Sequence, residues 1–564
     1  MPLASVPKLA VVCSVVGLLY AARPPHFDFE DITANSGITF HAENGATAGK
    51  FMIETMGSGV ALLDYDGDGR LDILFVNGGG KPGSPSSRTN RLALYRNEGQ
   101  GKFSDQTAVA GLTGSFDTYG MGVAVGDYDN DGRPDILLTG FPRSVLFHNQ
   151  GKGTFRDVTS EAGVENRDQW GTSAGWFDYD HDGRLDLVVA NYVADFSWTE
   201  PRFCGDSAPG RRTYCHPDVY KGTGVRLYHN EGQGRFRDVT AAAKLESGDG
   251  KCLGLVLADL DGDGLPDIFV ANDSVANFFY RNQGDGTFRE EGLISGTGFS
   301  EDGAPEAGMG VDAADMDGDL LPDLYITHLD NELNRLYRNS GKGRFSDSTL
   351  AAGLGAQPSL YSGFGVKFAD LDNSGRPQLL IANGHILDNI ALFHPRVSYR
   401  EPLLLLENTG GKFRDVSAGA GSVFQRQMLG RGLAVGDLDD DGLVDFVVNQ
   451  NLGPPLVARN RSQAGNWISL RLTGTGKSNR DAVGAVVILT AAGRRQRAEV
   501  MGGTSYLSAS DLRLHFGLGS ARQIQRVEIR WPSGLVETVK VEAVNRSVAI
   551  VEGKGTKADS NTIP

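Results

Sequence analysis

Short apolar runs of four residues recur along this chain, each entered from an aspartate-rich loop of nearly constant spelling. The first is Ile73-Leu-Phe-Val76, and the others begin at Ile136, Leu187, Ile268, Leu324, Leu379 and Phe446. Their β-branched and aromatic content and their length predict buried strands. Ahead of each loop stands a strand of small residues, such as Gly120-Met-Gly-Val-Ala-Val-Gly126 or Gly363-Phe-Gly-Val-Lys-Phe-Ala369, whose glycines suit crowding near an axis. A third strand ends in an Arg-Asn or His-Asn turn, as in Leu94-Tyr-Arg-Asn97 and Leu146-Phe-His-Asn149. A fourth carries Phe-x-Asp-x-Thr or its serine variant, as in Phe103 to Thr107 and Phe413 to Ser417. Seven such periods, with loop starts 51 to 81 residues apart, predict the blades of a β-propeller rather than a helical solenoid.

The loop itself reads Asp64-Tyr-Asp66-Gly-Asp68-Gly69-Arg-Leu-Asp72. Carboxylates at positions one, three, five and nine recur at Asp127, Asp129, Asp131 and Asp135, then at Asp178, Asp180, Asp182 and Asp186. Further copies are Asp259, Asp261, Asp263 and Asp267; Asp315, Asp317, Asp319 and Asp323; and Asp437, Asp439, Asp441 and Asp445. Closely spaced hard oxygen ligands around a sharp turn suit calcium, with its six to eight oxygen ligands. An EF-hand opens the same way but needs a glutamate at position twelve between two helices, whereas Phe75 stands there, inside a strand. Two copies depart from the pattern. The fifth has Leu320 in place of the sixth-position glycine, which should strain the turn. The sixth, Asp370-Leu-Asp372-Asn-Ser374-Gly-Arg-Pro-Gln378, loses two charges and is expected to bind calcium weakly or not at all. Six strong sites and a degenerate seventh are therefore expected.

The acidity of the chain follows from these loops. Its formal charge is −16, which six divalent ions would bring to about −4. Metal accounts for it better than a basic partner would, and nothing suggests nucleic acid. Counting strands also predicts how the ring closes. Leu456-Val-Ala-Arg-Asn460 has no Phe-x-Asp-x-Thr strand after it, while Phe29-Glu-Asp-Ile-Thr33 stands unused at the front. Residues 27–33 should thus complete the last blade of a seven-bladed ring spanning 27–461 and remove its open edge.

These loops and strands resemble the FG-GAP/VCBS repeats of integrin α-subunit propellers and of many secreted bacterial proteins. Farther on, Asn479 to Val487, Gly502-Gly-Thr-Ser-Tyr506, Leu514 to Gly519 and Trp531-Pro-Ser-Gly534 resemble the ASPIC/UnbV domain. The combination is similar to the cartilage acidic protein-like family. It implies an all-β, calcium-binding, secreted propeller, with the matching aspartates as ligands, and a small C-terminal β-domain. For that domain, residues 466–553, alternating β-rich runs predict a sandwich or barrel packed on the propeller surface, followed by a disordered tail at 554–564.

Residues 1–22, with Lys8 ahead of the apolar stretch Leu9 to Leu19, read as a secretory signal too short to span a membrane; an uncleaved tether is the alternative. Secreted, extracellular or periplasmic location follows, with no membrane span in the mature chain. Cys204 and Cys215 bracket a Gly/Pro-rich loop and would form a local disulfide in an oxidising compartment. A zinc site from these two and His216 lacks a second ligand pair of the usual spacing. Cys252 lies in an apolar run and reads as a buried thiol.

Metal loops and hairpin turns should share one face of the ring. Three insertions, 77–89, 191–223 and 383–402, should emerge on the other, where variable loops on a rigid ring place a protein or carbohydrate ligand. A polysaccharide lyase or hydrolase using the same face is the alternative. Its candidates, His216, His328, His385, His394, Asp273, Asp330, Asp388 and Arg400, form no recognisable catalytic motif.

Overall fold

The computed structural model describes residues 26–84, 90–208, 210–355 and 360–558. The signal segment and the last six residues of the chain therefore lie outside the described residues. Among those described, seven antiparallel sheets of four strands account for residues 29–460. Their first strands are Val60–Leu63, Tyr119–Gly126, Gly171–Phe177, Cys252–Ala258, Val311–Ala314, Gly363–Ala369 and Gly430–Gly436. Each packs against the next, and the last packs against the first, so the sheets close into a ring. The strand Phe29–Asp31 is the outer strand of the last sheet, with Phe29 opposite Asn460 and Asp31 opposite Ala458. Phe27 and Phe29 are buried there among Phe424, Phe446 and Val423.

The strand after each metal loop is buried on both faces, because it lies between the sheets before and after it. This explains the continuous apolar runs where a one-sided sheet would alternate.

The C-terminal region forms two facing sheets. One orders Leu514–Gly519, Asn466–Thr473 and Ser547–Val551; the other orders Arg494–Glu499, Val486–Ala491, Ile524–Arg530, Val536–Val539 and Thr556–Lys557. Ile468, Leu470, Val487, Leu489, Val527 and Ile529 fill the space between them. The Thr556–Lys557 strand corrects the expected disorder from residue 554: Lys557 pairs with Glu537 and extends the sheet.

This domain does more than pack on the surface of the ring. Its segment Gly502–Asp511 enters the central channel and hydrogen-bonds the innermost strand of all seven sheets. Gly502 O accepts from Trp176 N (3.0 Å), Gly503 O from Leu257 N (3.2 Å), and Leu507 O from Val123 N (3.0 Å). Ser505 N donates to Val311 O (2.7 Å), and Ser505 Oγ accepts from Val366 N (3.1 Å). Ala509 O accepts from Leu62 N (3.0 Å), and Ser510 Oγ from Val435 N (3.1 Å). The fit leaves no room for side chains: a Cβ on Gly59 would lie 1.8 Å from Leu507 O, and one on Gly175 2.9 Å from Gly503 Cα. Tyr506, fully buried, reaches through to donate to Met56 O (2.8 Å) and meets the Phe364 ring edge-on. The segment is an axle, and the expected surface role of this domain is corrected accordingly.

Candidate metal centres on the loop face

In each loop the residues at positions four and six adopt positive φ, for example Gly67 (78°) and Gly69 (91°), or Asn130 (60°) and Gly132 (89°). Two left-handed residues so close together wind the backbone back on itself, turning its N–H groups toward the first aspartate. Asp64 accepts from Gly67 N (2.9 Å) and Gly69 N (3.0 Å), and Asp127, Asp178, Asp259, Asp315 and Asp437 each take two such bonds in their own loops. Remaining oxygens converge. Ligand atoms of Asp64, Asp66 and Asp72 lie within 4.8 Å of one another, as do those of Asp127, Asp129 and Asp135 and of Asp178, Asp180 and Asp182.

The ninth-position aspartates are almost wholly buried. Each staples its loop to the third strand: Asp72 Oδ1 accepts from Asn97 N (2.7 Å) and its Oδ2 from Tyr65 N (3.2 Å). The same pair of bonds recurs at Asp135, Asp186, Asp267, Asp323 and Asp445. Burial raises the carboxyl pKa to about 8 at Asp72 and Asp323, and to about 6 at Asp135 and Asp186, where His148 and His229 offset part of it. Asp127 and Asp178 are pushed to about 8 by burial and neighbouring carboxylates. The groups are thus costly to ionise without a compensating cation.

Third-position aspartates face a cation from the third strand. Arg96 donates to Asp66 (2.6 Å), and Arg281, Arg338 and Arg459 lie beside Asp261, Asp317 and Asp439. His148 and His229 occupy this place in the second and third copies. The Arg-Asn and His-Asn turns therefore neutralise part of each cluster. They do not saturate it: Arg459 meets Asp439 at Oδ2, and the buried Oδ1 makes no side-chain ion pair. An all-oxygen, turn-wound, incompletely satisfied carboxylate set fits a hard divalent cation.

The asparagine of the same turn has a second role that sequence reasoning did not find. Asn97 Nδ2 donates to Leu438 O (2.7 Å) in the neighbouring sheet's metal loop. Asn149, Asn230, Asn282, Asn339, Asn408 and Asn460 make the equivalent bond to Tyr65, Tyr128, Tyr179, Leu260, Met316 and Leu371. All seven metal loops are thus latched to a neighbouring sheet. The regular recurrence of Asn after Arg or His was the available signal.

The two irregular loops have physical explanations. Leu320 sits at φ 73°, a conformation costing about 1–2 kcal/mol for a residue with a Cβ. Its side chain is buried against Val486, Ile488 and Val536 of the C-terminal domain, which offsets the strain. In the sixth loop Gln378 takes the ninth position. Its Oε1 accepts from Leu371 N (2.6 Å) and keeps the bond within the loop, while its Nε2 donates to Asp372 Oδ1 (3.1 Å). His26 Nε2 meets Asp372 Oδ2 at 2.6 Å, and Gly517 N donates to Asp370 Oδ2 (3.0 Å). Gln378, where the other loops carry an aspartate, thus joins His26 and Gly517 in placing donors on the carboxylates a cation would need.

The C-terminal domain covers this face. Asp481 accepts from Asp127 N (2.8 Å), Glu499 from Asp259 N (3.1 Å), and Arg530 pairs with Asp259. His515 meets Asn373 (2.6 Å), Arg513 reaches Asp440 (3.3 Å), and Trp467 packs over Gly442.

On the opposite face the insertions are knitted together. Cys204 and Cys215 are disulfide-bonded, Asn389 donates to Gly210 O (3.1 Å) and Arg212 O (3.0 Å), and Arg212 donates to Gly49 O (2.8 Å). Cys252 is a buried thiol. The candidate catalytic groups do not converge. His216 pairs with Asp218 at the surface (3.3 Å), while His328 is buried and held neutral, its pKa pushed down to about 3 by burial and by Arg335. Asp273 accepts from Tyr192, Asp388 pairs with Lys50, and Arg400 donates to Gln450 (3.3 Å). His394 is exposed, its backbone N–H bonded to Ile390 O (2.8 Å). Asp330 accepts from both His385 (3.0 Å) and Ser362 (3.2 Å), but His385 Nδ1 is bonded to Leu387 N (2.9 Å). The histidine thus does not stand between serine and acid as a nucleophilic triad requires.

A ring of four-stranded sheets carrying aspartate loops and capped by a two-sheet domain defines a repeat-propeller protein. The chain belongs to the FG-GAP-like repeat family, whose model matches residues 64–138, 129–189, 215–270, 259–326 and 315–381; the ASPIC and UnbV model matches 474–557. Among curated relatives, cartilage acidic protein 1 of Mus musculus is 27% identical over 515 residues, covering 78% of this chain and 75% of that protein. The Homo sapiens counterpart is 26% identical over 496 residues, covering 76% and 70%. A Burkholderia pseudomallei lectin, BP39L, aligns with TM-score 0.43 at 10% identity, over 73% of this chain and 98% of its own. An Agrocybe aegerita lectin recognising non-reducing terminal N-acetylglucosamine aligns with TM-score 0.39 at 18% identity, over 72% and 95%.

Proposed function

We propose that this protein is a secreted, calcium-stabilised binding module that engages a protein or carbohydrate ligand through its insertion-loop face. Calcium in six loops would hold the sheets at the covered face, with Asp64, Asp66, Asp68 and Asp72 and their counterparts as ligands. The sixth loop, with Asp370, Asp372 and Ser374, would stay empty or weakly filled. The observation carrying the ligand reading is that the insertion 191–223, closed on itself by the Cys204–Cys215 disulfide, is hydrogen-bonded through Asn389 to the insertion 383–402, so that the two form one cap. That cap presents Phe203, 58% exposed beside the Arg212 guanidinium, and Leu392, 53% exposed. A rigid platform with exposed aromatic and cationic groups binds without a large ordering cost. The disulfide supports an oxidising compartment, and among the described residues no helix is long and apolar enough to cross a membrane.

The dispersed histidines and acids favour binding over the lyase or hydrolase alternative. Glycan and protein arrays probed with the calcium-loaded protein should give hits that weaken at least tenfold in the double variant Phe203→Ala/Arg212→Ala, with no product formed from acidic polysaccharides. Product formation abolished by His385→Ala would instead establish the enzyme.

A further inference from the structure

Between the ring and the C-terminal domain lies a cavity of about 850 Å³. None of the insertion-face candidates lines it. Its floor is made by the tops of the inner strands and first-position aspartates of several loops, its roof by the strands Asn466–Thr473 and Ser547–Val551, and the axle passes through it. The volume falls within the range of small-molecule sites.

The charges in its wall are unequally satisfied. Lys367 is paired with Asp312 (2.8 Å), Arg497 with Glu499 (2.6 Å) and Arg513 with Asp511 (2.6 Å). The acids are likewise engaged: Asp64 and Asp437 accept loop N–H groups, and Asp481 accepts Asp127 N. Three guanidinium groups differ. Arg471 and Arg546, both exposed and lining the cavity, make no side-chain hydrogen bond or close ion pair among the described residues, although the Arg471 charge acts on Asp64 and Asp481; Arg494 donates to Ser374 O (3.1 Å) near Asp370 and Asp315. Apolar wall comes from Leu62, Val125, Phe368 and Ala549, and the Trp467 ring lies stacked on His515 with centroids 5.8 Å apart.

We propose that this inter-domain cavity binds a small organic anion with an apolar body, its carboxylate, sulfonate or phosphate group held by Arg471 with Arg546. Unpaired guanidinium groups are strong bidentate partners for such oxyanions in a partly dehydrated site. The proposal rests on the loops holding cations, because Asp64, Asp315, Asp370 and Asp437 also line the floor.

Anilinonaphthalene sulfonate, which combines one sulfonate with an aromatic body, is the probe. It is titrated into the full-length protein in millimolar calcium, with a thermal melt recorded for every variant. Saturable fluorescence enhancement at one site per chain is expected. Arg471→Ala should weaken it at least tenfold, Arg471→Lys should recover part of the loss, and Ala549→Trp should abolish it by filling the space beside Arg471, its cross-strand neighbour. The uncharged N-phenylnaphthylamine should be insensitive to Arg471→Ala. Absence of binding, or binding unmoved by both Arg471→Ala and Ala549→Trp in variants that melt normally, overturns the proposal. Failure of the calcium reading appears separately, as a melt unchanged by chelator in the parent protein.

Discussion

Tyr506→Ala should lower stability by about 3–5 kcal/mol, the range for truncating a large buried aromatic residue. For 564 residues the unfolding entropy is roughly 1.2 kcal/mol per degree, so the melting temperature should fall by about 3–4 °C. Ending the chain at residue 461 should do far more, because it withdraws the whole axle from the channel. The inner strands would lose their shared partner, and the apolar surface of Leu507 and Val311 would meet water. Differential scanning calorimetry checks both. An unchanged melt in Tyr506→Ala, or a truncated ring as stable as the full chain, would show that the axle is only a passenger.

Removing divalent cations at pH 8 should cost about 8 kcal/mol if six sites each sit near ten times their dissociation constant, about 1.4 kcal/mol apiece. That corresponds to about 7 °C at the entropy just given. The effect has a pH signature. In the cation-free protein Asp72, Asp127, Asp178 and Asp323 have carboxyl pKa values of about 8, against 3.8 for an ordinary aspartate. The folded cation-free state therefore holds protons that the unfolded chain has released. The stability these four groups contribute is fully present below pH 4 and is lost as the pH rises through 8. Bound calcium would replace those protons, and acid would displace it, so the chelator effect should be small at pH 5 and largest at pH 8. Melts with and without chelator across this range test it; a shift independent of pH would refute the linkage.

Much of the fold was legible because the repeat states the same local chemistry seven times. Aspartate spacing, the apolar run and the Phe-x-Asp-x-Thr strand each reflect a local requirement, so one copy supports the reading of the others. The pairing of Phe29–Asp31 with Leu456–Asn460 can be read as a surplus strand at the front and a missing one at the back. What was not legible depends on contacts between distant segments. Nothing local in Gly502 to Tyr506 says that this segment enters a channel whose walls begin as far back as Val60. The strand Leu514–Gly519 was visible only as a motif, and Arg494–Glu499 was hidden by its charge, since arginines alternate there along a strand facing the ring. Leu320 reads in sequence as a defect; only its packing against Val486 and Ile488 accounts for it. The asparagine latches likewise bind one sheet to the next and leave no trace within a single repeat.

On the proposed function, six aspartate loops hold cations and the sixth in chain order does not. Crystals grown in millimolar calcium, measured at a long wavelength where calcium scatters anomalously, test it directly. Difference peaks are expected within the loops beginning at Asp64, Asp127, Asp178, Asp259, Asp315 and Asp437, and none of comparable height at Asp370. A peak at Asp370 as strong as that at Asp64, or no peaks at the other six, would contradict it.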